Sequence, residues 1–193
     1  YITKKNTGIG VVSEGLLNSL SGQNITSLIP KDIGIKGDIY IPNNLSPGKG
    51  FKNHFRRFYW LQNAVPEIMN KLNADYFLSP LLEAPLFTNV KSIVLAHDLI
   101  PLRYPSISFL TLYHLIYVPL ILQQSKVILC NSVSTANDLN TFYKVPRHKL
   151  FPIKLGFNHK NYYPILNIRK KFFLIIGRHN PHKNLERVIL AFS

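Results

Sequence analysis

Arg178, His179, His182 and Lys183 crowd into six positions of the stretch "GRHNPHKN". Ahead of it runs the apolar "FFLII", Phe172 to Ile176, stopped by Gly177; behind it an amphipathic pattern begins near Asn184. A planar guanidinium, an ammonium five positions on and the free N–H groups of a helix start all favour phosphate oxygens, so the loop suits a diphosphate. Pro181 fixes its own φ and biases Asn180 away from helix, which would hold the turn's shape between the two cations. The two histidines alone make no zinc site, because no Cys, His or carboxylate cluster completes one. A solvated basic turn is the plain alternative.

Two more stretches carry chemistry. In "AHDLIPLRYP" the dyad His97-Asp98 follows the apolar run "SIVLA", at the carboxyl end where open α/β sheets place their ligand crevice. An imidazole there can donate to a sugar hydroxyl or a phosphate, or move a proton. The structural alternative is a histidine that only hydrogen-bonds the strand end. In "NTGIG", Gly8 and Gly10 stand just before a helical pattern and allow close backbone approach to an anion at the helix start. This is no full dinucleotide fingerprint, and no phosphate-loop Lys-Ser/Thr follows, so an ordinary tight turn remains open.

The elements that must position these residues show in the hydrophobic pattern. Short apolar runs recur near Leu28, Tyr76, Ser92, Lys126 and Phe172, several without alternation, as strands covered on both faces require. Between them lie helical periods. Gly10 to Leu20 sets Val11, Leu16, Leu17 and Leu20 largely on one side. Phe51 to Leu72 contains Pro66, expected to break or kink it. Asn131 to Tyr143 opens with a cap in "NSVS" and stops at the basic "YKVPRHK". Strand alternating with helix argues for an α/β fold with a Rossmann-like parallel sheet. The pattern lapses from Lys154 to Lys171. Residues 1–153 therefore read as one α/β domain, 154–170 as a linker, and 171–193 as the first strand, loop and helix of a second Rossmann-like domain.

Composition narrows the partners. The chain has 193 residues, is 46% hydrophobic and carries a formal net charge of +14, enough apolar content for a buried core. Up to Asp98 ten Lys and Arg stand against seven Asp and Glu; beyond it, thirteen against two. Such an excess suits nucleotide, anionic lipid or nucleic acid. Cys130 is the single cysteine, which excludes an intrachain disulfide, and its apolar setting reads as an inert core thiol. The longest apolar stretch, Phe109 to Leu122, is too short to span a bilayer and reads as a buried or interfacial helix. The basic, aromatic "FKNHFRRFYW" could meet a membrane surface, or could be a helix with one solvated basic face.

Taken in order, these stretches resemble a glycosyltransferase of the GT-B architecture, specifically the retaining glycosyltransferase family 4. "TGIG" resembles the family's glycine turn, "VLAHDLIPLRYP" its His-Asp segment, and "VILCNSVSTANDLNTFYKVPRHKLFPIKLGFN" its crossover into the second domain. "IIGRHNPHKNLERVILAF" resembles the donor-phosphate loop and is the most specific match. The resemblance implies catalytic roles for His97 and Asp98, with His97 at the transferred sugar. It implies donor binding by Gly8, Gly10, Arg178 and Lys183. It also implies a nucleotide-diphosphate sugar as substrate, a glycan or lipid-linked acceptor, a cytoplasmic setting with peripheral contact at the inner membrane face, and no cofactor or bound metal. The family's paired glutamates belong to the later part of the second domain. No acidic residue here, Glu186 included, matches them, so the chain reads as a fragment truncated at both ends and inactive by itself. A non-catalytic nucleotide- or carbohydrate-binding protein would share the loop. A nucleic-acid-binding protein would explain the charge, but no zinc-finger, KH or RNP pattern supports it.

Overall fold

A computed structural model of the chain describes residues 7–45, 51–157, 162–163, 172–177 and 179–192. They divide into two compact units, one running to Phe157 and the other starting at Asn158.

In the first unit the apolar runs become parallel strands, as their non-alternating pattern requires. β3 (Phe77–Ser79), β4 (Ser92–Ala96), β5 (Val127–Cys130) and β6 (Leu150–Pro152) form one sheet in the order β3-β4-β5-β6, all parallel. β1 (Leu28–Pro30) and β2 (Ile39–Ile41) form a separate parallel pair. Parallel neighbours need crossovers, and helices supply two of them. α3 (Ile100–Arg103) and α4 (Phe109–Gln124) lie between β4 and β5, while α5 (Val133–Tyr143) lies between β5 and β6. Gly37 is dictated by packing at the β1–β2 pair: a Cβ there would sit 2.9 Å from Ile29 Cβ. The structure is thus α/β with a parallel sheet, compatible with a Rossmann-like fold.

The core lies where α4 and α5 cover the sheet. Val94 and Ala96 of β4, Ile128 and Cys130 of β5, Val118, Ile121 and Leu122 of α4, and Leu139 of α5 are buried together. Each large aliphatic side chain so buried contributes about 2 kcal/mol. β4 is covered nearly throughout, but β5 alternates, with Val127 and Leu129 only half-buried. Burial pushes the Cys130 thiol up to about 11, which makes it the inert core thiol its setting suggested. A smaller cluster, Leu61, Val65 and Met69 of α2 (Phe51–Leu72), packs against Phe77 and Val90. A cavity of about 570 Å³ lies among α1 (Gly8–Ser19), α2, β1 and β3.

Three local expectations are corrected. The first helix starts at Gly8, capped by Thr7, whose hydroxyl accepts from Gly10 N at 3.1 Å; Val11 points to solvent instead of joining Leu16 and Leu17. Of the break or kink expected at Pro66, the break does not occur: α2 runs on to Leu72. One missing N–H costs a single helical bond, and buried Leu61, Val65 and Met69 on either side hold the helix together.

The third correction concerns the second unit. Phe172 to Ile176 carries no strand, and all five residues are exposed. A strand needs a ladder partner, and none pairs with this run among the described residues. The segment instead packs on α6 (Leu185–Phe192): the rings of Phe173 and Phe192 meet edge to face at 4.6 Å. A Cβ at Gly177 would come within 3.3 Å of Leu185 Cδ2, so the glycine admits that side chain. Most of the expected linker, 154–170, lies outside the described residues.

Candidate functional site

The carboxyl ends of β4 and β5 gather the polar groups. His97 follows β4 directly and is half-buried. Its Nε2 lies 2.9 Å from the carbonyl oxygen of Pro80, just beyond β3. A carbonyl only accepts, so Nε2 carries the hydrogen and donates it. In the neutral ring this places the hydrogen on Nε2 and leaves Nδ1 as the nitrogen that can accept from a ligand. The strand-end hydrogen bond of the plain structural reading therefore exists, but it occupies only one ring nitrogen.

Asp98 is exposed, and its Oδ1 accepts from Ile100 N at 3.1 Å, which starts α3. α3 is tied down in turn: Arg103 Nε donates to Asp138 Oδ2 at 2.8 Å, and its Nη2 reaches the other carboxylate oxygen. This fork joins the segment after His97-Asp98 to α5.

After β5 come Asn131 and Ser132, which sequence reasoning took only as a helix cap, and Thr135 in the first turn of α5, which it did not single out. Ser132 caps α5, its hydroxyl accepting from Thr135 N at 3.0 Å. The Thr135 hydroxyl is 3.2 Å from the carbonyl of His97 and 2.9 Å from Asn131 Oδ1. The one Thr135 hydroxyl hydrogen is shared between the His97 carbonyl and Asn131, while the His97 ring is held from Pro80. "NSVST" carried the available signal, since Ser and Thr at a helix start direct their oxygens to backbone groups.

Gly8 and Gly10 occupy the first turn of α1 rather than a loop before it. Gly8 is exposed, and a Cβ there would meet nothing within 4 Å, so packing among the described residues does not demand a glycine. In the second unit, Pro181–Lys183 form one 3-10 turn, Asn184 takes φ 52° and α6 begins at Leu185. Asn180 is extended, as Pro181 requires, and Lys183 N donates to its carbonyl at 2.8 Å. The Lys183 side chain is exposed, and no carboxylate among the described residues pairs with it. Arg178 lies outside the described residues.

The structure therefore brings His97 and Asp98 together with Asn131, Ser132 and Thr135. Gly8 and Gly10 stand on another element of the first unit, and Lys183 belongs to the second. No protein-family model matches the chain, and no curated protein matches it.

Proposed function

We propose that the chain is part of a retaining, nucleotide-sugar-dependent glycosyltransferase of the GT-B architecture, family 4, acting on a glycan or lipid-linked acceptor in cell-envelope or polysaccharide synthesis. The observation that carries the reading is the state of His97. Its imidazole stands at the carboxyl end of a parallel strand, held through Nε2–H to Pro80, with the Thr135 hydroxyl beside the residue's main-chain carbonyl and Nδ1 left for a ligand. A ring whose Nε2–H is engaged by Pro80 keeps its orientation when Nδ1 accepts from a sugar hydroxyl, which lowers the ordering cost of binding the donor.

The remaining roles follow from charge. When the bond between the sugar and the nucleoside diphosphate breaks, negative charge builds on the departing phosphate oxygens. Lys183, with Arg178 as its expected companion, offers the compensating cations, and such contacts strengthen as charge develops. Asp98 acts through the segment it starts, keeping the residues after His97 in place. The open space over Gly8 suits a donor passing close to the backbone. The chemistry assigned to these residues uses the donor's own leaving group and calls for no resident cofactor.

A transfer assay on the full-length protein tests the proposal. Nucleoside diphosphate sugars serve as donors, and loss of transfer on replacing His97 is the expected outcome.

A further inference from the structure

The cavity of about 570 Å³ in the first unit is bordered by both of its sheets. β1 and β3 line it along their length, as do Leu16 and Leu17 of α1 and Val65 and Ile68 of α2. At about 30 Å³ per water it has room for roughly 19 molecules, against walls that are mostly apolar. Protein interiors keep few voids larger than a single water. The side chains around the space are left short of cover: Leu16, Leu17, Leu28, Ile68, Leu78 and Ile93 all line it and are only half-buried. Ile93 is the one residue of β4 that is not fully buried.

The main chain points the same way. In a parallel ladder, alternate residues turn their N–H and C=O to opposite sides. Phe77 N donates to Lys91 O, so Leu78 turns its N–H and C=O away from β4. Ile39 N donates to Ser27 O, so Leu28 turns its own pair away from β2. β1 and β3 are each the end strand of their sheet, and no strand among the described residues takes up these groups. Two open strand edges thus border one apolar slot, where main-chain groups need partners and side chains need cover.

A strand meets both needs. Its main chain would join Leu28 on one side and Leu78 on the other, while its side chains would cover α1 and α2. Chain order names the source. α1 lines the slot and leads into β1, and parallel neighbours are joined through a crossover helix. A strand ahead of α1 therefore completes a strand-α1-β1 unit. We infer that the segment of the full-length chain leading into Thr7 lies as a parallel strand between β1 and β3. It joins the two sheets into one, in the order β2, β1, the new strand, β3, β4, β5, β6. Pairing on the β1 side stops at Pro30, which has no N–H to give. α1 then follows its strand as α5 follows β5, which sets Gly8 at the carboxyl end of the sheet, the end that carries His97. The inference stands on packing and pairing alone and does not use the glycosyl-transfer reading.

Amide hydrogen exchange in the full-length protein, read residue by residue by NMR, tests it. Tyr40 is the internal reference, because its N–H faces the outer edge of β2, away from β1. The Leu28 and Leu78 amides should exchange about 100-fold slower than that of Tyr40, or slower still. Both should also show cross-strand nuclear Overhauser contacts to residues ahead of Thr7. Exchange as fast as that of Tyr40 would overturn the inference, as would contacts from these amides to any other segment. Protection that grows with protein concentration would overturn it too, by assigning the slot to a second copy. A second measurement reads the space itself. Leu17→Trp adds bulk at a side chain that lines the cavity, and with the strand seated it should lower the urea midpoint, since a filled interior resists overpacking. An unchanged or raised midpoint would mean that the slot stands open and would contradict the inference.

Discussion

The hydroxyl of Thr135, in the first turn of α5, lies 3.2 Å from the main-chain carbonyl oxygen of His97. Asn131 Oδ1, 2.9 Å away, competes for the same hydroxyl hydrogen. Thr135 is buried, so neither acceptor is readily replaced by water. Thr135→Val keeps the shape and removes the hydroxyl. It should cost about 1–2 kcal/mol, read as a lower urea midpoint with an unchanged slope. Thr135→Ser should recover most of the loss. An unchanged midpoint in the valine variant would show that the hydroxyl holds nothing.

Arg57 and Glu83 tie α2 to the segment after β3, with side chains only 13% and 14% exposed. Removing one partner leaves the other charge poorly solvated, which is the costly case for an ion pair. Arg57→Ala or Glu83→Ala should each destabilise by about 3 kcal/mol, and the double variant by less than the sum of the two. Equal additivity in a double-mutant cycle would mean that the pair does not act as a unit.

Histidines give the first unit a dependence on mild acid. His114 is buried, its Nδ1 3.3 Å from Tyr143 Oη, while that hydroxyl donates to the His114 carbonyl at 2.7 Å. Burial pushes its pKa below the ordinary 6.5, and the nearby Asp98 charge opposes this only in part. His54 is lowered too, first by burial and then by Arg57. With the folded pKa depressed, the unfolded chain binds more protons below 6.5. The contribution is therefore fully present above 6.5 and falls as pH drops from there toward the folded value. Urea unfolding at about pH 7.5 and about pH 5.5 should show lower stability in acid, and His114→Phe should shrink that difference. A pH response unaltered by His114→Phe would assign the effect elsewhere.

Elements set by neighbouring residues were legible in the sequence. "NSVS" marks the start of α5, and Asn180 is extended because Pro181 follows it. The parallel sheet was legible from its unbroken apolar runs. What depends on distant partners was not. β2 and β6 are defined only by the neighbouring strand each pairs with, β1 and β5. The run Phe172 to Ile176 has strand composition and no ladder partner among the described residues. Arg57 and Glu83 are 26 positions apart, and nothing local announces their pairing. At the site, the strand end naming His97 and Asp98 was legible, whereas the hold of Thr135 and Pro80 on His97 needed the fold.

For Lys183, an exposed ammonium just before α6, the expected loss is in donor binding. One charge-assisted contact to phosphate contributes about 1.5–3 kcal/mol, so Lys183→Ala should weaken nucleotide-sugar affinity about 10- to 100-fold. Titration of the full-length protein by calorimetry measures it. Unchanged affinity would leave the loop as a solvated basic turn.

Steady-state transfer by the full-length protein, with and without His97→Ala, tests the central claim most directly. A histidine acting at the sugar should lower kcat about 100-fold or more while nucleotide affinity stays near that of the unaltered protein. Sugar transfer by His97→Ala at the original rate, or no transfer from any nucleoside diphosphate sugar by the unaltered full-length protein, would contradict it.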